Sequence, residues 1–153
     1  MNDKKTLKSI EIQNLSKTFK IDGGNFNVLN NISLSVNQGE FLSIVGSSGC
    51  GKSTLLRMIV GLDRNYSGNI LSYEESIKGP GVDRGMIFQE ARLFPWLTVE
   101  KNIAFGLSRR VSNSEKKELV HKQLELVGLT SFAKAYPDQL SGGMKQRISI
   151  GLL

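Results

Sequence analysis

The stretch that most constrains this chain is "FLSIVGSSGCGKSTLLRMIVG", Phe41 to Gly61. Its first five residues, Phe41 to Val45, are almost wholly apolar and read as a strand buried on both faces. They run directly into a glycine-rich loop and then into an apolar helical stretch, "LLRMIV", closed by Gly61. The loop, Gly46-Ser47-Ser48-Gly49-Cys50-Gly51-Lys52-Ser53, satisfies the spacing G-x-x-x-x-G-K-[ST]. A strand before it and a helix after it are the context in which that spacing has a mechanism. The glycines let successive backbone N–H groups turn toward one anion, and the helix N-terminus adds positive potential. The expected fold class is therefore α/β, built around a strand, a phosphate cradle and a helix.

Each residue of the loop then takes a role. Lys52 is the fixed cation for the β and γ phosphates of a nucleotide, and the Ser53 hydroxyl is a ligand for Mg²⁺. Gly46, Ser47, Ser48, Gly49, Cys50, Gly51 and Thr54 complete the expected nucleotide-binding set. The Cys50 thiol has two readings: an idle side chain whose backbone serves the phosphates, or a redox-active thiol at a helix N-terminus.

The remainder of the 153 residues reads as follows. "SIEIQNL" and "NISLSV" alternate apolar and polar residues, as half-buried strands do, with "IDGGN" as the turn between them. "SGNILSY" and "GMIFQ" are further strand candidates on either side of a turn at Pro80. From Thr98 the pattern is helical, and "SNSE" offers a capping box, Ser112 with Glu115, for an amphipathic helix that ends at Gly128. Near the end, "LSGGMKQRISIGLL" starts a helix with Ser141 as N-cap and leaves Gly142 and Gly143 over exposed backbone N–H groups, an anion site in its own right.

"LSGGMKQR" downstream of such a loop resembles the signature motif of ABC-transporter ATP-binding subunits. The resemblance implies a P-loop NTPase (RecA-like) ATPase core with antiparallel strands at the N-terminus and a helical subdomain. The expected boundaries are 1–89 for the nucleotide-binding core, 90–140 for the helical part and 140–153 for the signature and the start of its helix. In that family Ser141, Gly142 and Gly143 would contact the γ-phosphate held by a second subunit, so a homodimer is implied. "MIFQEARLFPW" resembles the family's Q-loop, which implies that Gln89 approaches Mg²⁺ and the attacking water, and that Phe94 to Trp96 meet a membrane permease. Those three residues also fit a plain core and turn. Phe19, in "LSKTFK", resembles the aromatic that stacks on adenine; as a residue alone it serves equally as core.

"FQEARLFPW" is most similar to the importer group for aliphatic sulfonates, taurine and nitrate. That implies a motor subunit using ATP and Mg²⁺, peripheral on the cytoplasmic face of the membrane, under a permease fed by an external solute-binding protein. A single cysteine, Cys50, suits a reducing compartment, and no apolar run approaches the ~20 residues of a membrane span. The net charge of +6 fits either a solvated lysine-rich surface or an anionic partner. Nucleic acid is not the expected one.

The rivals are a nucleotide-binding module that does not hydrolyse and a cytosolic ABC protein outside transport. By the same resemblance, the strand with the Mg²⁺-linked aspartate and catalytic glutamate, and the switch histidine, would follow Leu153. The expectation is thus a C-terminal part missing from these residues, with weak ATP binding and no turnover by them alone. His121 is expected on a helix surface, not at the switch position.

Overall fold

The computed structural model describes residues 7–107 and 112–151. The chain divides between Gly85 and Met86 into two compact units.

The first unit is built on a long hairpin, β1 (Lys8–Ile21) against β2 (Gly24–Asn37), closed at the Asp22-Gly23 turn. β3 (Ser67–Ser72) pairs antiparallel with the other edge of β1, and β4 (Glu75–Ser76) follows β3, giving the order β2-β1-β3-β4. Helix α1 (Lys52–Ile59) belongs to the same core: Leu55 and Met58 are buried with Ile12, Leu15, Leu29, Ile70 and Ile77.

One irregularity decides which side chains of β1 face inward. Ile12 is buried, but Asn14 takes φ 50°, the ladder shifts register, and Leu15 and Lys17 become the buried residues. The inward positions thus change from even to odd numbers across the bulge. On β2, Asn31 has the same φ of 50°. The Asn14 N–H donates to the Ser33 hydroxyl at 2.9 Å, and the Asn31 N–H to the Ser16 hydroxyl at 2.8 Å. Asn tolerates this left-handed backbone better than most residues, and each displaced amide finds a serine on the opposite strand.

Two of the expected strands are not formed. Phe41 to Val45 lie outside the ladder and face solvent, with Phe41 92% and Val45 89% exposed. Gly85 to Gln89 are likewise not a strand. A strand buried on both faces needs neighbours on either side and cover above and below. The only sheet among the described residues is the antiparallel one, and neither run is part of it.

The second unit is helical: α2 (Val99–Gly106), α3 (Asn113–Leu126) and α4 (Gly142–Ile150), with 3-10 turns at Thr130–Phe132 and Pro137–Gln139. Thr98 caps α2, while the N–H groups of Val99 and Glu100 donate to the carbonyls of Ala135 and Ala133. Ser112 and Glu115 form the expected capping box. The α3 chain reverses at Gly128 (φ 66°), and the Arg147 guanidinium of α4 donates to the Val127 carbonyl at 2.8 Å. Val99, Ile103, Val120, Leu124, Val127, Leu129, Leu140 and Ile148 form the core of this unit. Ile148 of α4 is fully buried there, while Ile150 is half exposed.

Candidate functional site

The phosphate loop hangs between the end of β2 and the start of α1, and Gly51 fixes its seat. Gly51 has φ 97°, and a Cβ built on it would lie 2.9 Å from Val28 Cγ1 and Leu29 Cδ2. Only glycine lets the loop turn there while pressed against the hairpin. The Leu55 N–H donates to the Gly51 carbonyl at 2.9 Å, which opens α1 at the lysine. No acidic residue lies in the first turn of α1, so its positive end is not neutralised by its own side chains.

Lys52 folds back over this loop. Its ammonium donates to the carbonyls of Gly46 (2.8 Å) and Ser47 (2.7 Å) and lies 3.5 Å from Cys50 Sγ. The loop residues from Gly46 to Cys50 and Ser53 are exposed, and Thr54 is half buried. A Cβ at Gly49 would meet nothing within 4 Å, so the loop is not packed against other residues there. Among the described residues no group of three or more His, Cys, Asp or Glu could hold a metal ion. The Ser53 hydroxyl, exposed in the first turn of α1, is a single hard oxygen donor of the kind Mg²⁺ accepts when water fills the rest of its shell.

Phe19 lies beside two hollows of the same unit. Thr54 and Arg57 of α1, with Leu62, Asp63, Arg64 and Asn65, line one of them together with the Phe19 ring. Lys17, Lys20 and Asn25 line the other, again with Phe19, Asp63 and Asn65. The ring is 38% exposed and stands opposite Phe26 in the ladder.

Under the ring lies a residue that the sequence reading passed over. Lys17 is only 3% exposed, and its ammonium meets Asp63 Oδ1 at 2.9 Å, Asp63 Oδ2 at 2.8 Å and the Asn65 carbonyl at 2.6 Å. Burial alone would raise the Asp63 carboxyl. Hydrogen bonds from Lys17 and the Asn65 N–H, with the charges of Lys17 and Arg57, outweigh that and hold it below its ordinary value.

Gln89 and the Ser141 region belong to the second unit. The Ser141 hydroxyl accepts from the Met144 N–H at 3.3 Å, while Gly142 and Gly143 would give an added Cβ nothing to meet within 4 Å. The helix start is therefore capped and still open. Gln89 is exposed; next to it, the Phe88 carbonyl accepts from Gln146 Nε2 of α4 at 2.9 Å, which ties the Gln89 segment to the signature helix.

Asn102 also escaped the sequence reading. Buried on α2, it accepts from the Phe94 N–H (2.8 Å) and donates to the carbonyls of Phe94, Leu97 and Thr98. One amide thus shapes the whole aromatic turn, in which Phe94 packs on Trp96 and Phe105 and Trp96 stays 70% exposed. A polar residue amid the apolar positions of "VEKNIAF" was the available signal. His121 is exposed on α3, 3.3 Å from Glu125, as expected.

Residues 29–153 match the ABC transporter family. The chain belongs to that family. Among curated ABC relatives, it is 48% identical to the aliphatic sulfonates import ATP-binding protein SsuB of Bacillus subtilis, over 93% of this chain and 55% of that protein. It is 47% identical to the nitrate import ATP-binding protein NrtD of Synechocystis, over 92% and 53%. The same figures, 47%, 92% and 53%, hold for the uncharacterized ABC transporter ATP-binding protein MJ0412 of Methanocaldococcus jannaschii. The chain spans about half the length of these ABC relatives. The dimeric post-hydrolysis structure of the ATP-binding cassette MJ0796, bound to ADP and Pi, superposes with a TM-score of 0.83 at 31% identity, over 94% of this chain and 68% of that one.

Proposed function

We propose that this chain carries the ATP-binding machinery of an ABC importer, coupling ATP hydrolysis to uptake of a small anionic solute of the sulfonate, taurine or nitrate kind. The observation that carries the reading is the Lys52 loop: an exposed glycine-rich turn with a cation parked on its own carbonyls. Phosphate oxygens are stronger acceptors for that ammonium than the carbonyls of Gly46 and Ser47, because the bond is then between opposite charges. Binding of the β and γ phosphates would draw Lys52 off the loop, with Gly49, Gly51 and their neighbours supplying N–H groups and the Phe19 ring meeting the base.

Mg²⁺, when bound, neutralises the charge that develops on the phosphates. Ser53 and Gln89 are the residues we assign to it. A neutral amide holds and orients water and is a poor base, so Gln89 is given a positioning role and no proton. Lys52 stabilises the γ-phosphoryl group as charge shifts onto the leaving oxygen. The Ser141 hydroxyl and the N–H groups of Gly142 and Gly143 are assigned to the γ-phosphate of a second copy, which makes the working unit a dimer. The dimeric MJ0796 structures favour that arrangement. Phe94 to Trp96 are assigned to the permease, with the subunit on the cytoplasmic face; no described helix is long and apolar enough to cross a membrane.

The test is a mixed assembly of full-length subunits. Subunits with Ser141→Arg and subunits with Lys52→Ala are each inactive alone, and the mixture, assembled with its permease, recovers part of the turnover because one of its two sites carries neither change. Heterodimers that form and bind ATP without any turnover favour the non-hydrolysing reading instead.

A further inference from the structure

Lys17 is the most deeply buried charged residue among the described residues, only 3% exposed. Its ammonium donates to Asp63 Oδ1 at 2.9 Å and to the Asn65 carbonyl at 2.6 Å, and pairs in charge with Asp63 Oδ2 at 2.8 Å. Its ammonium also sits 4.7 Å from the centroid of the Phe19 ring, two residues along the same strand and on the same face.

Burying such a pair is costly, and a well-packed apolar pair at the same place is often as stable. What an apolar pair lacks is a fixed geometry. Asp63 lies just beyond the C-terminal end of α1, the helix whose first residues are Lys52 and Ser53. The pair therefore ties the strand that bears the aromatic ring to the far end of the helix that bears the phosphate cradle. It sets the spacing between the two ends of a nucleotide. The positive charge beneath one side of the ring also polarises it toward an electron-rich purine.

We propose that Lys17, clamped by Asp63, is a positioning residue that presents the Phe19 ring to the nucleotide base. The inference rests on the reading of Phe19 as the base-stacking residue. Its test compares Mg·ATP with Mg·inorganic triphosphate as probes on the full chain, by calorimetric titration. Lys17→Met is expected to weaken ATP about tenfold, the scale of one aromatic stack on a base, and to leave inorganic triphosphate unchanged. In a Phe19→Ala background the same substitution is expected to add nothing. Asp63→Asn keeps an acceptor for the ammonium and removes the charge, and is expected to give the same base-selective loss in smaller degree; circular dichroism checks that both variants fold.

Equal losses for both probes, or full additivity with Phe19→Ala, overturn the proposal, because the pair is then a general brace. Wild-type ATP affinity in Lys17→Met, with a clear loss in Phe19→Ala, overturns it and leaves the stacking reading standing. Unchanged ATP affinity in Phe19→Ala defeats the stacking reading itself, and the proposal with it.

Discussion

The Lys52 ammonium lies 2.8 Å from the carbonyl oxygen of Gly46, the first residue of its own loop. With the Ser47 carbonyl at 2.7 Å, this contact closes the loop on itself. The shape of the loop is therefore held by the Lys52 side chain, which in the proposed reading leaves these two carbonyls for the phosphates.

The loop also depends on its contact with the hairpin. Gly51→Ala places a methyl group 2.9 Å from Val28 and Leu29 side-chain carbons in a backbone with φ 97°. The expected cost is about 1–3 kcal/mol, with a loop that no longer seats and weaker nucleotide binding. Urea unfolding followed by circular dichroism measures the first and nucleotide titration the second. A variant as stable as the parent, with full affinity, contradicts the assigned seat.

In the second unit, Asn102→Leu removes one buried amide and leaves the Phe94 N–H and the Phe94, Leu97 and Thr98 carbonyls without it. The expected destabilisation is about 2–4 kcal/mol, since buried groups lose their partners. Trp96 is the only tryptophan, so its fluorescence reports the same turn directly. A spectrum and unfolding midpoint like the parent's contradict the role given to Asn102.

The Lys17–Asp63 pair predicts a pH dependence with a definite sign. The folded carboxyl of Asp63 is held below its ordinary value of 3.8. Its contribution is therefore complete above that value and is lost as pH falls through the lower folded value. Parent and Asp63→Asn are expected to differ most in stability near neutral pH and to converge in acid. A gap that widens on acidification contradicts this sign.

How much of this was legible in the sequence depends on how local the signal is. The glycine turn into α1, the Ser112–Glu115 box, the Ser141 cap and the turn of the N-terminal hairpin each rest on neighbours within a few residues, and each was read from them. Phe41 to Val45 was misread because an apolar run records what a strand can do, whereas pairing depends on strands elsewhere. Lys17 was invisible for a similar reason. Nothing in "LSKTF" says that the bulge at Asn14 turns that lysine inward or that Asp63, far along the chain, awaits it. Asn102 left a fainter trace, a polar residue on an apolar helix face, whose meaning came only with the turn it binds.

In the proposed reading the Gly46–Ser53 loop is a nucleoside triphosphate site organised by Lys52. Titration of the full chain and of Lys52→Ala with Mg·ATP tests it most directly, with inorganic triphosphate as competitor. The account predicts binding to the parent that inorganic triphosphate displaces, and a loss of about tenfold or more in Lys52→Ala, because a charge-assisted bond to the phosphates is gone. Equal affinity in parent and variant would contradict it.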